Sequence, residues 1–565
     1  MFTALGRWCA RRPKRVVAAW LLLVAALVMA VGVLGRATTE AVSIPGSDSQ
    51  AAHDVAARAF PGSASGKQPL VLHTGGTGAL LTSPNATTAI QQAAKAMAQV
   101  PHVVAVTTPY DSAGKGSISS DGHTAYLSVE LDVTGRDITA DLTNRVVAAA
   151  APASAAGIEV TPGGNLAAAV DKGSVGHSEA IGLAAAFAVL VLTFGGLVAA
   201  GLPLLLGVLG LGISLPVVGL LGHLMDMPSA GETIAAMIGL GVGIDYTLFC
   251  LTRFRELPAT GAGVEDAAVR TTAGSGKSVA FAGSAVIAAL AALALGGLPL
   301  LYALALAPGV AVLAALAVNL TLLPALLTLL GRRLAPKKPR ATTDRPSGWG
   351  RIAELVAAKP WPLLLAGLTL LGALAVPATR LTFGQLDAGN NAAGTVSRTA
   401  YDQLATAFGP GTNGTLLITD SLPTAAADPS DPRITTVTQA LHATSGVAAL
   451  GAPQLSSDGR TVRWQLTPTT APTDPATSAL VHRLREQTLP LVTVGSTHVG
   501  GAPAAQADLN DRIARRMPLV VGFVLLVAGL LLLLAFRSPI VAAKAAVMNL
   551  VSVAAAYGVL TAVFQ

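Results

Sequence analysis

The chain has 565 residues, of which 52% are hydrophobic and only 12% charged, with a mean hydropathy of +0.60. Soluble domains carry about 25% charged residues, so this composition excludes an ordinary soluble protein and leaves a membrane protein. The net charge of +7 does not signal nucleic acid, because the basic residues cluster at 7–15, 253–277 and 332–359, each beside a hydrophobic run, as the positive-inside rule requires.

The first hydrophobic run, 16–34, is long enough to cross about 30 Å of hydrocarbon. It lacks a small-x-small cleavage site and reads as a retained first span, so residues 1–35 form a cytoplasmic N-terminus and that span. Residues 36–178 follow as an extracytoplasmic α/β domain, with helices expected over 49–60, 84–100 and 141–150 and strands over 69–74, 102–108, 123–133 and 157–161. Spans two to six occupy 179–330, at about 179–198, 201–222, 231–252, 279–299 and 303–330. The second and third are separated only by Gly195, Gly196 and Gly201. Between the fourth and fifth, segment 253–278 is basic and amphipathic and is expected to lie along the inner surface.

A polar cytoplasmic linker, 331–360, leads to the seventh span at 361–380 and to a second extracytoplasmic α/β domain at 381–516. There, helices are expected over 399–408, 431–443 and 479–489 and strands over 414–420, 461–468 and 490–495. Residues 517–565 supply spans eight and nine. The two halves repeat: Ser49 through Phe60 matches Ser397 through Phe408, Pro13 matches Pro360, and Phe194 matches Phe536. Parallel internal repeats are characteristic of transporters. The repeat places the counterpart of residue 245 about 25 residues past Gln565, so the chain reads as C-terminally truncated, ending before spans ten to twelve.

The fourth span carries the residue of interest. Asp245 lies 13 residues after Glu232 and 8 before Arg253, near mid-membrane. An aspartate there costs about 2.5–3.5 kcal/mol, which marks a functional site or a buried pair. Tyr246 follows it and is placed to hold a hydrogen bond in a proton path. Gly239, Gly241 and Gly243 precede it; Gly239 and Gly243 share a face and allow close helix approach. Ser278 and Ser284 in the fifth span are candidates to approach Asp245, with Ser284 taken as a possible relay partner, although hydroxyls in spans also bond their own helix. His177, Glu179, Asp226 and Glu232 stand at outer span ends, where they line an entry path or simply meet solvent. The run GSGKS at 274–278 imitates a phosphate loop, but Thr271 stands where that motif needs glycine and no strand precedes it. Cys9 and Cys250 suggest neither a disulfide framework nor a metal site, and no catalytic constellation is evident, so no enzyme activity is expected.

The segment GLGVGIDYTLFCLTRFRE at 239–256, the basic stretch after it, the FRSP turn at 536–539 and the halved span layout together resemble the MMPL branch of the resistance-nodulation-division (RND) transporters. The resemblance implies an α-helical polytopic membrane protein with two extracytoplasmic α/β porter-like domains and an RND-type internal repeat. It also implies proton-driven export of lipids or other hydrophobic molecules across the inner membrane, with the proton gradient as energy source and no cofactor or metal. Asp245 and Tyr246 match the first of two Asp-Tyr pairs that share the proton relay in such proteins. Membrane lipids, a hydrophobic or lipid substrate, and a homo-oligomer or accessory membrane proteins are the implied partners, in a plasma-membrane protein with a cytoplasmic N-terminus. Two other readings stand beside it: a lipid-sensing or partner-binding membrane subunit that does not pump, and a non-functional truncated transporter.

Overall fold

The computed structural model describes residues 2–37, 44–60, 67–75, 78, 80–111, 114, 116–133, 137–171, 176–225, 227–257, 263–334, 348–381 and 387–564. The chain divides into two compact units, one of residues 1–38, 182–383 and 515–565 and the other of 39–181 and 384–514.

In the first unit the apolar runs become helices because a chain in hydrocarbon must satisfy its own main-chain hydrogen bonds. Among the described residues, eight helices are long and apolar enough to cross a membrane: Pro13–Leu34, Leu197–Leu221, Ala230–Glu256, Val264–Gly296, Pro299–Gly331, Pro360–Arg380, Ala502–Leu534 and Pro539–Val563. The second expected span is the helix Gly176–Phe194, whose apolar part, Ile181–Phe194, is shorter than the others. It parts from the third at Gly195, whose φ of +66° lies in the left-handed region that glycine favours.

Segment 253–278 differs from expectation. It is not one surface helix: Arg253–Glu256 closes the fourth span, 258–262 lie outside the described residues, and Val264 begins a helix that runs unbroken to Ala291. The reason is its small face, Ala267, Ala268, Thr271, Thr272 and Ser275, which is buried. An N-terminal helix, Phe2–Arg11, packs there. A Cβ on Gly6 would lie 2.9 Å from Thr272 Cβ, and Arg11 pairs with Glu265 at 3.5 Å. The segment before the seventh span repeats this plan, with a helix at Gly348–Ala358 followed by Pro360, as Phe2–Arg11 is followed by Pro13.

The second unit holds two antiparallel sheets. The first comprises β1 (Lys67–His73), β2 (Val103–Thr107), β3 (Thr124–Leu131) and β4 (Glu159–Pro162) in the order β2-β3-β1-β4. The second comprises β5 (Leu416–Ser421), β6 (Val447–Leu450), β7 (Gln454–Leu455), β8 (Thr461–Pro468) and β9 (Ser496–Gly500), in the order β6-β8-β5-β9 with β7 also beside β8. The strand expected at 490–495 is corrected: Leu489–Val492 is helical and the strand follows as β9. Pro490 explains it, since proline suits the first turn of a helix and cannot donate to a ladder.

The halves repeat in detail. SSDG turns at 119–122 and 456–459 lead into β3 and β8. In each, the first serine's hydroxyl donates to the aspartate (Ser119 to Asp121, 2.5 Å; Ser456 to Asp458, 2.6 Å). That serine oxygen also accepts from the main chain of Thr124 or Thr461, and Gly122 and Gly459 take φ of +74° and +69°.

The first helix of each loop domain packs on the other domain's sheet. Helix Val396–Phe408 lays Ala400 and Leu404 on Val71 of β1, and Phe408 meets Tyr126 of β3 edge-on, ring centroids 5.3 Å apart. Helix Asp48–Ala59 lies on the second sheet, where a Cβ on Gly500 would come within 2.7 Å of Ala52 Cβ. Each exchanged helix is capped by a carboxylate. Asp171 accepts from the main-chain N–H groups of Val396 and Ser397, both at 3.0 Å, and Asp508 accepts from that of Ser49 at 3.0 Å. The Asp508 side is more heavily charged. Arg485 bridges Asp508 (2.5 Å) and Asp48 (2.7 Å), and His498 Nδ1 lies 2.8 Å from Asp48 Oδ1.

Candidate functional site

The fourth span is helical over Ser229–Glu256, and its two faces differ in chemistry. Ala235, Gly239, Gly243, Thr247, Cys250, Leu251 and Phe254 are buried, at the three- and four-residue spacing of one helical face. Met237, Gly241, Asp245, Phe249 and Thr252 form an exposed stripe. Asp245 forms no hydrogen bond or ion pair among the described residues. Its carboxylate therefore stands on the open side of a span whose other side is packed.

The three glycines separate by role. A Cβ on Gly239 would lie 2.9 Å from Ala311 Cβ, and one on Gly243 would lie 3.2 Å from Gly207 Cα. Those two let the fourth span touch the sixth and third. Gly241 has nothing within 4 Å of a Cβ; it belongs to the open stripe, one turn before Asp245. Tyr246 packs its ring against the apolar core of this unit and makes no hydrogen bond among the described residues. Ser284 is exposed and its hydroxyl donates to Phe281 O of its own helix at 2.8 Å, so no hydrogen bond joins it to Asp245. Ser278 is exposed. Residues 274–278 are helical throughout, which leaves no loop to cradle a phosphate.

The sequence profile of the MMPL family matches residues 41–363 and 391–565. The chain belongs to the MMPL family. It is 32% identical over its whole length to the membrane protein YdfJ of Bacillus subtilis and covers 77% of that protein. It is 32% identical to the mycolic acid-containing lipids exporter MmpL11 of Mycolicibacterium smegmatis, over 67% of this chain and 41% of that one. It is 31% identical to the heme uptake protein MmpL11 of Mycobacterium tuberculosis, over 71% of this chain and 42% of that one. The chain thus spans less than half the length of both MmpL11 proteins.

In this MMPL chain, two polar groups behind Asp245 were not singled out from the sequence. The sixth span contains a π turn at Val318–Leu322, and Asn319 sits on it, 3% exposed. Thr247, fully buried, has its hydroxyl oxygen 2.8 Å from both Asn319 Oδ1 and Gly243 O, and its one hydrogen is shared between these two acceptors. Asn319 Nδ2 donates to Ala315 O at 2.9 Å and reaches Gly243 O at 3.5 Å. An asparagine at this depth is itself a signal, because a polar side chain in a span needs a partner.

Of the four residues expected at outer span ends, Glu232 pairs with Arg36 at 3.3 Å, its side chain 15% exposed. That ion pair ties the end of the first span to the start of the fourth. His177 and Glu179 lie on helix Gly176–Phe194, and Asp226 falls outside the described residues. Among the described residues no group of His, Cys, Asp and Glu is arranged to hold a metal.

Proposed function

We propose that this protein exports lipids or other hydrophobic molecules across the inner membrane, driven by the proton-motive force, with Asp245 as the proton-binding group. The observation that carries the reading is the position of Asp245: an ionisable carboxyl on the open face of an otherwise packed, glycine-lined span. A charge there costs about 2.5–3.5 kcal/mol, and protonation removes that cost. The proton therefore biases any helix rearrangement that buries this face by a factor on the order of 10². One charge moving through 100 mV supplies about 2.3 kcal/mol, a comparable amount. Hydrophobic cargo is supported by the relatives' names, one a lipid exporter and one a heme uptake protein. The loop domains then pass cargo on the outer side, with membrane lipids as the surroundings and homo-oligomers or accessory membrane proteins as partners.

The test uses the full chain in proteoliposomes with a fluorescent phosphatidylethanolamine as probe and an imposed proton gradient. Wild type extracts the probe only with the gradient. Asp245→Asn inserts normally and loses at least about tenfold of the rate, the loss expected when the charge switch is removed. Gradient-dependent extraction that survives intact in Asp245→Asn overturns the reading, and extraction indifferent to the gradient in wild type overturns the proton coupling.

A further inference from the structure

We infer that Asn319, on the π turn of the sixth span, is the positioning residue for Asp245, acting through Thr247 and the Gly243 carbonyl. The inference rests on the proton-binding reading above and names what holds that carboxyl in place. A π turn takes a main-chain carbonyl out of the regular ladder, and in hydrocarbon an unsatisfied carbonyl is expensive. Asn319 supplies a donor to Ala315 O within its own helix. The rest of its amide points across to the fourth span, where its Oδ1 accepts from Thr247 and its Nδ2 faces Gly243 O.

The contacts around this node are small and smooth. Gly243 lies against Gly207 and Ala315, and Gly239 against Ala311. Such surfaces set how near two helices come, but they resist rotation and sliding weakly, because each turn of the stripe resembles the next. A hydrogen bond has direction and a fixed length. The Thr247–Asn319 bond therefore fixes the rotation of the fourth span about its axis. Asp245 lies two residues from both Thr247 and Gly243, hence on the opposite side of the helix. Holding Thr247 inward is what keeps the carboxyl on the open stripe. The π turn matters because it sets where on the sixth span Asn319 projects.

The experiment labels the full chain in proteoliposomes with dicyclohexylcarbodiimide, which reacts with protonated carboxyl groups in apolar surroundings. Labelling of the Asp245 peptide is followed by mass spectrometry, with Asp245→Asn as the blank. Thr247→Val and Asn319→Leu are compared with Thr247→Ser, which keeps the hydroxyl. Thr247→Val and Asn319→Leu should slow labelling by about threefold to twentyfold, the range that interhelical hydrogen bonds in membranes support. Thr247→Ser should label at the wild-type rate. Thr247→Val is nearly isosteric and should fold even if Asn319→Leu does not. Wild-type labelling rates in Thr247→Val overturn the inference. A wild-type rate that does not change with pH removes the proton-binding reading, while the comparison between variants at one pH still decides the positioning role.

Discussion

Arg485 joins carboxylates from both loop domains, so its substitution should destabilise that unit markedly. Its guanidinium lies 2.5 Å from Asp508 and 2.7 Å from Asp48, with its side chain 16% exposed and theirs 12% and 30%. It also donates to Val499 O at 2.8 Å. Asp508 lies on the first two turns of helix Ala502–Phe536, within the loop-domain unit; burial pushes its carboxyl up, but hydrogen bonds from Arg485 and Ser49 and the guanidinium's charge outweigh it, holding the group below the ordinary carboxylate range. Arg485→Met removes the cation and leaves two carboxylates facing each other. Unit charges about 4 Å apart attract by about 4 kcal/mol at an effective dielectric constant near 20. Breaking a buried pair by removing one partner costs about 3–5 kcal/mol; with Asp48 partly solvated, about 4 kcal/mol is expected. At about 2–4 °C per kcal/mol, the apparent unfolding midpoint should fall by about 8–16 °C.

The assay is thermal unfolding of the full chain in detergent, with the other four tryptophans (Trp8, Trp20, Trp349 and Trp361) replaced by phenylalanine so that the fluorescence reports Trp464, which is 1% exposed in the second sheet. The sign with pH is fixed. In the wild type the Asp508 contribution is present above the unfolded carboxylate value and is lost as pH falls through the depressed folded value. In Arg485→Met burial dominates, so the carboxyl moves up and its penalty disappears as acid protonates it. The gap between the two proteins should be widest at neutral pH and narrow toward about pH 4. A midpoint unchanged by Arg485→Met, or a gap that does not vary with pH, would refute the reasoning.

The two kinds of glycine make a paired prediction: Gly243→Leu, placed against Gly207 Cα, should cost about 1–3 kcal/mol through overpacking. Gly241→Leu, with open space before it, should leave detergent-extracted protein as monodisperse as wild type on size-exclusion chromatography. Asp171→Ala removes the acceptor for the Val396 and Ser397 amides and should cost about 1–2 kcal/mol, read as faster hydrogen exchange in helix Val396–Phe408. Asp420, 2% exposed, has its carboxyl raised by burial despite Thr497, Arg433 and His498. Its protonated form is therefore the one the fold prefers, a stability lost as pH rises through the folded value. Asp420→Asn should thus raise the Trp464-detected midpoint at pH 7 and lose that advantage by about pH 4, where the wild-type carboxyl is itself protonated.

Much of the architecture was legible because its signals are local. An apolar run of spanning length has few choices in lipid, so eight helices long and apolar enough to cross a membrane, and one shorter apolar helix, contain the apolar runs, although those at Val264–Gly296 and Ala502–Leu534 begin about 15 residues before the expected spans at 279–299 and 517–535. Within the loop domains, Ser47 and Ser83 cap helices, and along most of β3 and β8 buried residues alternate with less buried ones. The paired SSDG turns were equally visible in the sequence and carry the repeat more plainly than the helix match does. Segments failed where the local signal conflicted with distant packing. Residues 264–278 look like a surface helix because one face is polar, yet the N-terminal helix covers their small face and the helix runs on unbroken through the apolar stretch to Ala291.

The sequence by itself determined the class of protein, its family and the presence of an aspartate in the fourth apolar helix. The class and the aspartate's depth follow from composition and hydropathy; the family follows from the resemblance carried by the motif at 239–256 and the FRSP turn. Only the tertiary structure decided that the loop domains exchange their first helices, and that Arg485 holds two carboxylates from different domains. It also distinguished Gly239 and Gly243, which are packed, from Gly241, which is open, and placed Asn319 behind Asp245. These depend on residues as far apart as Asp48 and Arg485, or Thr247 and Asn319. A periodicity says which face of a helix is apolar; it does not say which other helix or sheet will cover it.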